Sequence, residues 1–153
     1  MTDDQLVSNL EVHLGYWLRH VSNHVSGSFA RALQHRHFTI AEWVALRQLF
    51  DHPDITPADL AELMGTTRGA TSKIIDKLEA KGLTGRIVRE EDKRSHSLFL
   101  TAEGSRILPE LAMCADQNDA NYFGCLDIHE QSQLRYLLQK VAQSHGWNDV
   151  PVD

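Results

Sequence analysis

Residues 56–104 read TPADLAELMGTTRGATSKIIDKLEAKGLTGRIVREEDKRSHSLFLTAEG, and this stretch decides the fold. Thr56 followed by Pro57 reads as a helix start: the hydroxyl accepts an orphan amide, and proline at the first helical position has no amide to leave unpaired. Leu60, Leu63 and Met64 give this short helix an inner face, and Gly65 ends it. Thr66 and Thr67 supply the turn and the next cap, so a second helix is predicted from Arg68 to Lys81, with Ile74, Ile75 and Leu78 inward and Gly82 as its stop. Two short helices joined by a tight turn containing glycine form a helix-turn-helix pattern. Beyond Gly82 the apolar period shortens from helical to alternating, which predicts two strands, Leu83 to Arg89 and Ser97 to Thr101. Residues 90–96 between them are too polar to bury, so they form a hairpin tip in solvent. A charged hairpin directly behind a helix-turn-helix is a wing.

Outward from this stretch the chain is helical on both sides. Thr39 with Glu42 three residues on predicts a capping box opening a helix that runs toward His52 and stops before Pro53. Upstream, Leu6, Leu10, Leu14, Trp17, Val21, Val25, Phe29 and Leu33 recur every three or four residues, the stripe of one amphipathic helix over residues 4–35. Such a helix is about 45 Å long and overhangs a small domain, so its stripe needs a second helix, plausibly another subunit's. Downstream, Thr101 caps a helix carrying Ile107, Leu108 and Leu111, and Pro109 predicts a kink or early break near residues 105–109. Asp127 with Glu130 is a further capping-box start, and Leu134, Leu137, Leu138 and Val141 mark the last helix. From Gly146 onward a frayed tail is expected.

The fold class expected is therefore mainly α with a small β wing, a winged helix-turn-helix with N- and C-terminal dimerisation helices. Residues 1–36 form the N-terminal dimerisation helix, 37–104 the winged helix-turn-helix and 105–153 the C-terminal dimerisation helices, all in one integrated domain. A length of 153 residues suits one core rather than two. The acidic start, Met1 to Asp4, lacks the basic segment and apolar run of a signal peptide, and no apolar run is long enough to cross a bilayer. Two cysteines, Cys114 and Cys125, give no disulfide framework. These features predict a soluble, cytoplasmic protein with no membrane partner.

The net charge of -6 hides a segregation of charge. Residues 66–101 hold eight Lys or Arg against five acids, whereas the rest of the chain holds seven against sixteen. One basic segment in an acidic body is the pattern expected when a single face approaches phosphates, although scattered surface charge is the competing account.

The run Gly82-Leu83-Thr84-Gly85-Arg86, then Asp92-Lys93-Arg94-Ser95, then Leu98-Phe99-Leu100-Thr101-Ala102-Glu103-Gly104 resembles the wing signature of the MarR family of bacterial transcriptional regulators. In that signature an Asp-x-Arg at the tip leads into a Leu-Thr-x-x-Gly helix start. The resemblance covers residues 10–142, and the chain departs from the pattern at Pro109 and at the doubled acid Glu90-Glu91. It implies a triangular homodimer, helices from both chain ends intertwined above two winged lobes, and a small, often phenolic, anionic ligand between them.

The second helix of a helix-turn-helix enters the major groove of double-stranded DNA, its first residues reaching base edges. Thr67, Arg68, Ser72 and Lys73 occupy those positions, and Gly69 and Ala70 are small enough for close approach. Arg68 is the candidate for a bidentate guanine contact. Lys77 touches phosphate or nothing, and Thr66 and Thr67 also serve as cap. Arg94 suits the narrow minor groove, with Asp92 holding it by a charge-assisted bond, a pairing the resemblance supports. Arg86 either anchors the wing or meets phosphate, while Arg89 and Lys93 are phosphate candidates or solvated surface. Trp17, His20, Trp43 and Arg47 combine aromatic walls with one cation, as an aromatic acid would require, though tryptophans at helical spacing also serve as core. His20 and His24 stand one turn apart and His35 and His37 follow, but no third ligand at a metal-site spacing accompanies them; neither metal nor cofactor is expected.

The sequence holds no phosphate-binding loop, nucleophile elbow or zinc-protease motif, which removes the enzyme classes those motifs announce. A DNA-binding regulator, a repressor released from a palindromic operator by a small ligand, is the leading expectation. A winged-helix protein-interaction module, whose lysines and arginines are only a solvated face, is the alternative.

Overall fold

The computed structural model describes residues 7–91 and 95–152. A short 3-10 turn, Leu10–Val12, precedes helix α1, Leu14–Gln34; α2 spans Ile40–Asp51, α3 Pro57–Leu63 and α4 Arg68–Ala80. Strands β1, Thr84–Val88, and β2, His96–Leu100, pair antiparallel with Thr84 opposite Leu100 and Val88 opposite His96. Helices α5, Ala102–Phe123, and α6, Ile128–Ser144, complete the chain. This is the winged helix-turn-helix with flanking long helices that the sequence predicts.

Threonine caps set the starts of α2, α3, α4 and α5: Thr39, Thr56, Thr67 and Thr101 each accept the amide of the residue three positions on. Asp127 and Glu130 complete a reciprocal capping box at α6. The box expected at α2 is only half made. Thr39 accepts the Glu42 amide, but the Glu42 carboxylate is buried and turns to the Lys81 ammonium instead of the Thr39 backbone. A buried carboxylate gains more from a cation than from one further amide.

Three other expectations change. Helix α1 begins at Leu14 because His13 is extended, and the preceding turn is tied on separately by the Trp17 indole N–H donating to the Glu11 carbonyl at 2.8 Å. Helix α5 runs through Pro109 without a break. Proline there removes the amide that would reach the Ser105 carbonyl, but both residues are on an exposed face where water can serve that oxygen. The tail does not fray: the Val150 amide donates to the Leu63 carbonyl at 2.8 Å, and Val150 and Val152 pack against the core.

That core belongs to the winged lobe. Leu33 from α1, Leu46 and Leu49 from α2, Leu60 from α3, Ile75 and Leu78 from α4, Leu98 from β2, and Leu108 and Leu111 from α5 form one cluster. The Leu98 amide donates to the Ile55 carbonyl at 2.8 Å, which fastens the wing root to the loop before α3. Gly104 explains the Leu-Thr-x-x-Gly spacing: a Cβ there would lie 2.1 Å from the Leu83 carbonyl oxygen, so only glycine lets α5 start against the wing. The Thr101 hydroxyl closes the same corner by donating to the Gly82 carbonyl at 2.7 Å.

Above the lobe the picture reverses. No residue of α6 is buried, and Ile128, Tyr136, Leu137, Leu138 and Val141 stand exposed, as do Leu14, Trp17, Leu18 and Val21 on α1. Among the described residues no helix is long and apolar enough to cross a membrane.

Candidate nucleic-acid interface

Helix α4 turns Thr71, Ile75 and Leu78 into the core, which forces Arg68, Gly69, Ser72, Lys73 and Lys77 outward. The start of the helix is fixed twice. Thr67 caps it through the Ala70 amide at 3.1 Å, and Thr66 bonds the buried Thr71 hydroxyl at 2.7 Å across the turn. Arg68, Ser72, Lys73 and Lys77 thus stand on one rigid, solvent-facing stripe, and space around Gly69 is open. The exposed stripe also carries Asp76, with Glu79 beside it, which would oppose phosphate if unpaired.

Arg86 of β1 reduces that opposition. Its Nε donates to Glu79 at 2.6 Å and its Nη2 to Asp76 at 2.7 Å, so one guanidinium holds both carboxylates, offsets half of their charge and binds wing to helix. The hydrogen bond that Arg86 donates to Glu79 chiefly, and the charges of Glu79 and Asp76, raise the Arg86 pKa above its ordinary value, against a lowering by burial. Arg86 is placed as an anchor. Arg89 is similarly occupied: its Nη2 donates to the Asp54 carbonyl at 3.0 Å and its Nε reaches the Ser97 hydroxyl at 3.4 Å. Among the described residues Arg68, Lys73 and Lys77 have no ion-pair partner. Asp92, Lys93 and Arg94 at the wing tip lie outside the described residues.

Two placements carry no sequence signal. Lys81 ties the lobe together by donating to Glu42 and to the His37 carbonyl while its ammonium sits 4.2 Å from the Phe38 ring centroid. His96, read as part of the polar hairpin tip, instead opens β2 and is partly buried. It borders a cleft of about 270 Å³ where α3, α4 and the wing root meet.

The four residues considered for a small ligand are not gathered into one cavity of the single chain. Trp17 and His20 stand on the exposed part of α1, where His20 stacks on Tyr16 and meets His24 edge-on at 5.3 Å. Trp43 packs edge-on against Phe29, and Arg47 pairs with Asp51 at 2.6 Å beside the Phe50 ring. Arg47 and Phe50 face Leu108, Pro109 and Ala112 of α5 across a mainly apolar hollow of about 230 Å³. Among the described residues no three His, Cys, Asp or Glu side chains are disposed to hold a metal ion.

Residues 38–96 match the model of the MarR family. An HTH-type transcriptional regulator of Bacillus cereus is 30% identical over 146 residues, covering 88% of this chain and 92% of the relative. An HTH-type transcriptional repressor of Mycobacterium tuberculosis is 28% identical over 129 residues, covering 84% and 93%. Among solved structures, a MarR variant from E. coli in complex with operator DNA superposes with a TM-score of 0.74 at 26% identity, covering 84% of this chain and 92% of that one.

Proposed function

Because this chain belongs to the MarR family of transcriptional regulators, we propose that it binds double-stranded DNA as a homodimer and represses transcription from a palindromic operator. The observation that carries this reading is the outer stripe of α4. Arg68, Ser72, Lys73 and Lys77 are exposed on a capped helix whose own carboxylates, Asp76 and Glu79, are both held by Arg86. That leaves three cations without an ion-pair partner among the described residues, Arg68, Lys73 and Lys77, beside a wing, the combination that reads a major groove and its flanking backbone. The E. coli neighbour bound to operator DNA and the M. tuberculosis relative named as a repressor support it. The exposed apolar residues of α1 and α6 support the homodimer, since a second copy would cover them. In this reading the protein acts in the cytoplasm and is not an enzyme. Asp92 and Arg94 retain their roles as wing-tip pair and minor-groove contact.

A two-fold dimer implies half-sites about one helical turn apart. The effector in this reading is a small aromatic anion. Arg47 supplies the cation beside the apolar hollow against α5, Trp43 stands one turn away on α2, and pairing of chains would bring Trp17 and His20 of one α1 toward such a site. A ligand that fits one lobe spacing better than another shifts the population away from the DNA-competent form.

Fluorescence anisotropy tests this directly, using duplex DNA that flanks the gene, a scrambled duplex and a series of salt concentrations. Specific binding that falls steeply with salt is expected, through release of counterions. Absence of binding to any duplex at low salt would transfer the function to protein interaction through the same winged surface.

A further inference from the structure

We infer that the cleft joining α3, α4 and the wing root seats one phosphodiester of the DNA backbone, and that His96 is a donor to it. The inference rests on the DNA-binding reading above and deepens it, by adding a residue that fixes how the wing and the recognition helix sit on the duplex together.

The cleft holds about 270 Å³, room for one tetrahedral oxyanion and its water. Its polar lining comes from all three elements that face DNA in this fold: Thr56 at the start of α3, Arg68 and Ser72 at the start of α4, and Ser95 and His96 at the wing root. Each of these side chains can donate a hydrogen bond, one is a permanent cation, and among the described residues no carboxylate lines the cleft. The Thr56 oxygen already accepts the Asp59 amide at 3.1 Å, so its O–H remains to be given away. On the other flank of α3 the sign inverts. A larger cavity, about 560 Å³, is lined by Asp54, Asp59, Glu62 and Asp149. An anion approaching the lobe is therefore drawn to one side of α3 and repelled from the other.

His96 singles out this cleft from the rest of the basic surface. Its Nδ1 is buried and has no hydrogen-bond partner among the described residues. A buried orphan polar atom calls for an explanation. Among the described residues nothing accepts a proton from Nδ1, so the tautomer protonated at Nε2 avoids burying an unpaired N–H, and in that tautomer Nε2 is the atom that donates to an anion in the cleft that His96 lines. The register then gives the contact its meaning. His96 is opposite Val88 on the outermost rung of the hairpin, and Arg68 and Ser72 belong to the first turns of the recognition helix. One phosphate held by both pins the wing against α4 and fixes the angle between them. Such a contact positions the protein without reading bases.

The test uses the full-length protein and a duplex recovered by selection from a random pool. A single uncharged methylphosphonate is moved along each strand, and affinity is read by anisotropy for the parent, His96→Ala and His96→Gln. One position is expected at which the methylphosphonate weakens the parent about tenfold, as loss of a charge-assisted hydrogen bond does. His96→Ala should weaken binding about threefold on unmodified DNA and lose less than the parent at that position, the remaining loss being the contacts of Arg68 and Ser72, whereas His96→Gln, which keeps a donor, should recover most of the affinity. Equal losses on a scrambled duplex are expected, since a phosphate contact is blind to sequence. If His96→Ala binds every duplex as the parent does, or is additive with the methylphosphonate at every position, the inference is overturned while the DNA-binding reading stands. Saturation of the His96 ring resonances by inorganic phosphate, with DNA affinity unchanged in His96→Ala, would make this a free-anion site and overturn it equally. Failure of the parent itself to bind any duplex removes the reading beneath it.

Discussion

The winged lobe and the helical arms are made from the same amphipathic material, yet they stand in opposite states. Leu46, Leu60 and Leu98 in the lobe are 0–1% exposed, whereas Leu137 and Leu138 of α6 are 48% and 44% exposed. Each lobe helix finds its partners within the chain, with caps, glycine stops and the Ile55–Leu98 hydrogen bond closing the core. Among the described residues the arms carry stripes of similar residues that the chain itself leaves exposed. The lobe therefore folds on what one chain supplies, and in the dimer proposed above a second chain would cover the arms. Stability of the reading surface and assembly of the dimer should accordingly respond to different substitutions.

Leu46→Ala should have the largest effect, lowering the unfolding free energy by about 3 kcal/mol in a denaturant titration, because the cavity forms where neighbours are already packed. Next, Leu137→Glu on α6 should raise the dimer dissociation constant about 30-fold, roughly 2 kcal/mol, in sedimentation velocity. The same variant should leave the near-ultraviolet signal of the lobe intact. A dimer unmoved by Leu137→Glu would break the comparison, since the α6 stripe would then not be the covered surface. Glu42→Gln probes the ion pair of the buried Glu42 with Lys81 and should cost about 1–2 kcal/mol in thermal unfolding. The figure is below that of a fully buried pair because Lys81 is a third exposed. Arg47→Ala sets the lower bound. It removes an exposed pair with Asp51 on α2 and should move stability by about 0.3 kcal/mol, while affinity for an aromatic acid such as salicylate should fall more than that if Arg47 supplies the ligand's cation.

The elements legible in the sequence are those announced by local chemistry. Thr56-Pro57, Thr67, Thr101 and Asp127 act on amides within their own first turn, so each cap could be read from neighbours three residues apart. The wing was legible from the change of period after Gly82. What escaped depends on residues far apart in the chain. Glu42 abandons its capping box for Lys81, and Arg86 finds Asp76 and Glu79 only because β1 returns along α4. Pro109 marks a missing amide but not the solvent exposure that makes the gap tolerable. For the candidate site, the outward stripe of α4 followed from helical periodicity, whereas His96 was hidden inside a run too polar to suggest burial. The docked tail had no signal of its own, since Val150 and Val152 form too short a stretch to show a period.

The seat of residues 147–152 on α3 also orders events during synthesis. Leu63 and Gly65, against which Val150 and Asp149 rest, leave the ribosome long before those partners exist. The contact of the tail with α3 can therefore form only after α6 has been made, whatever the lobe has done by then. A nascent chain halted within α6 would hold every residue of α3, α4 and the wing but lack the Val150–Leu63 contact that ties the end of the chain back to α3.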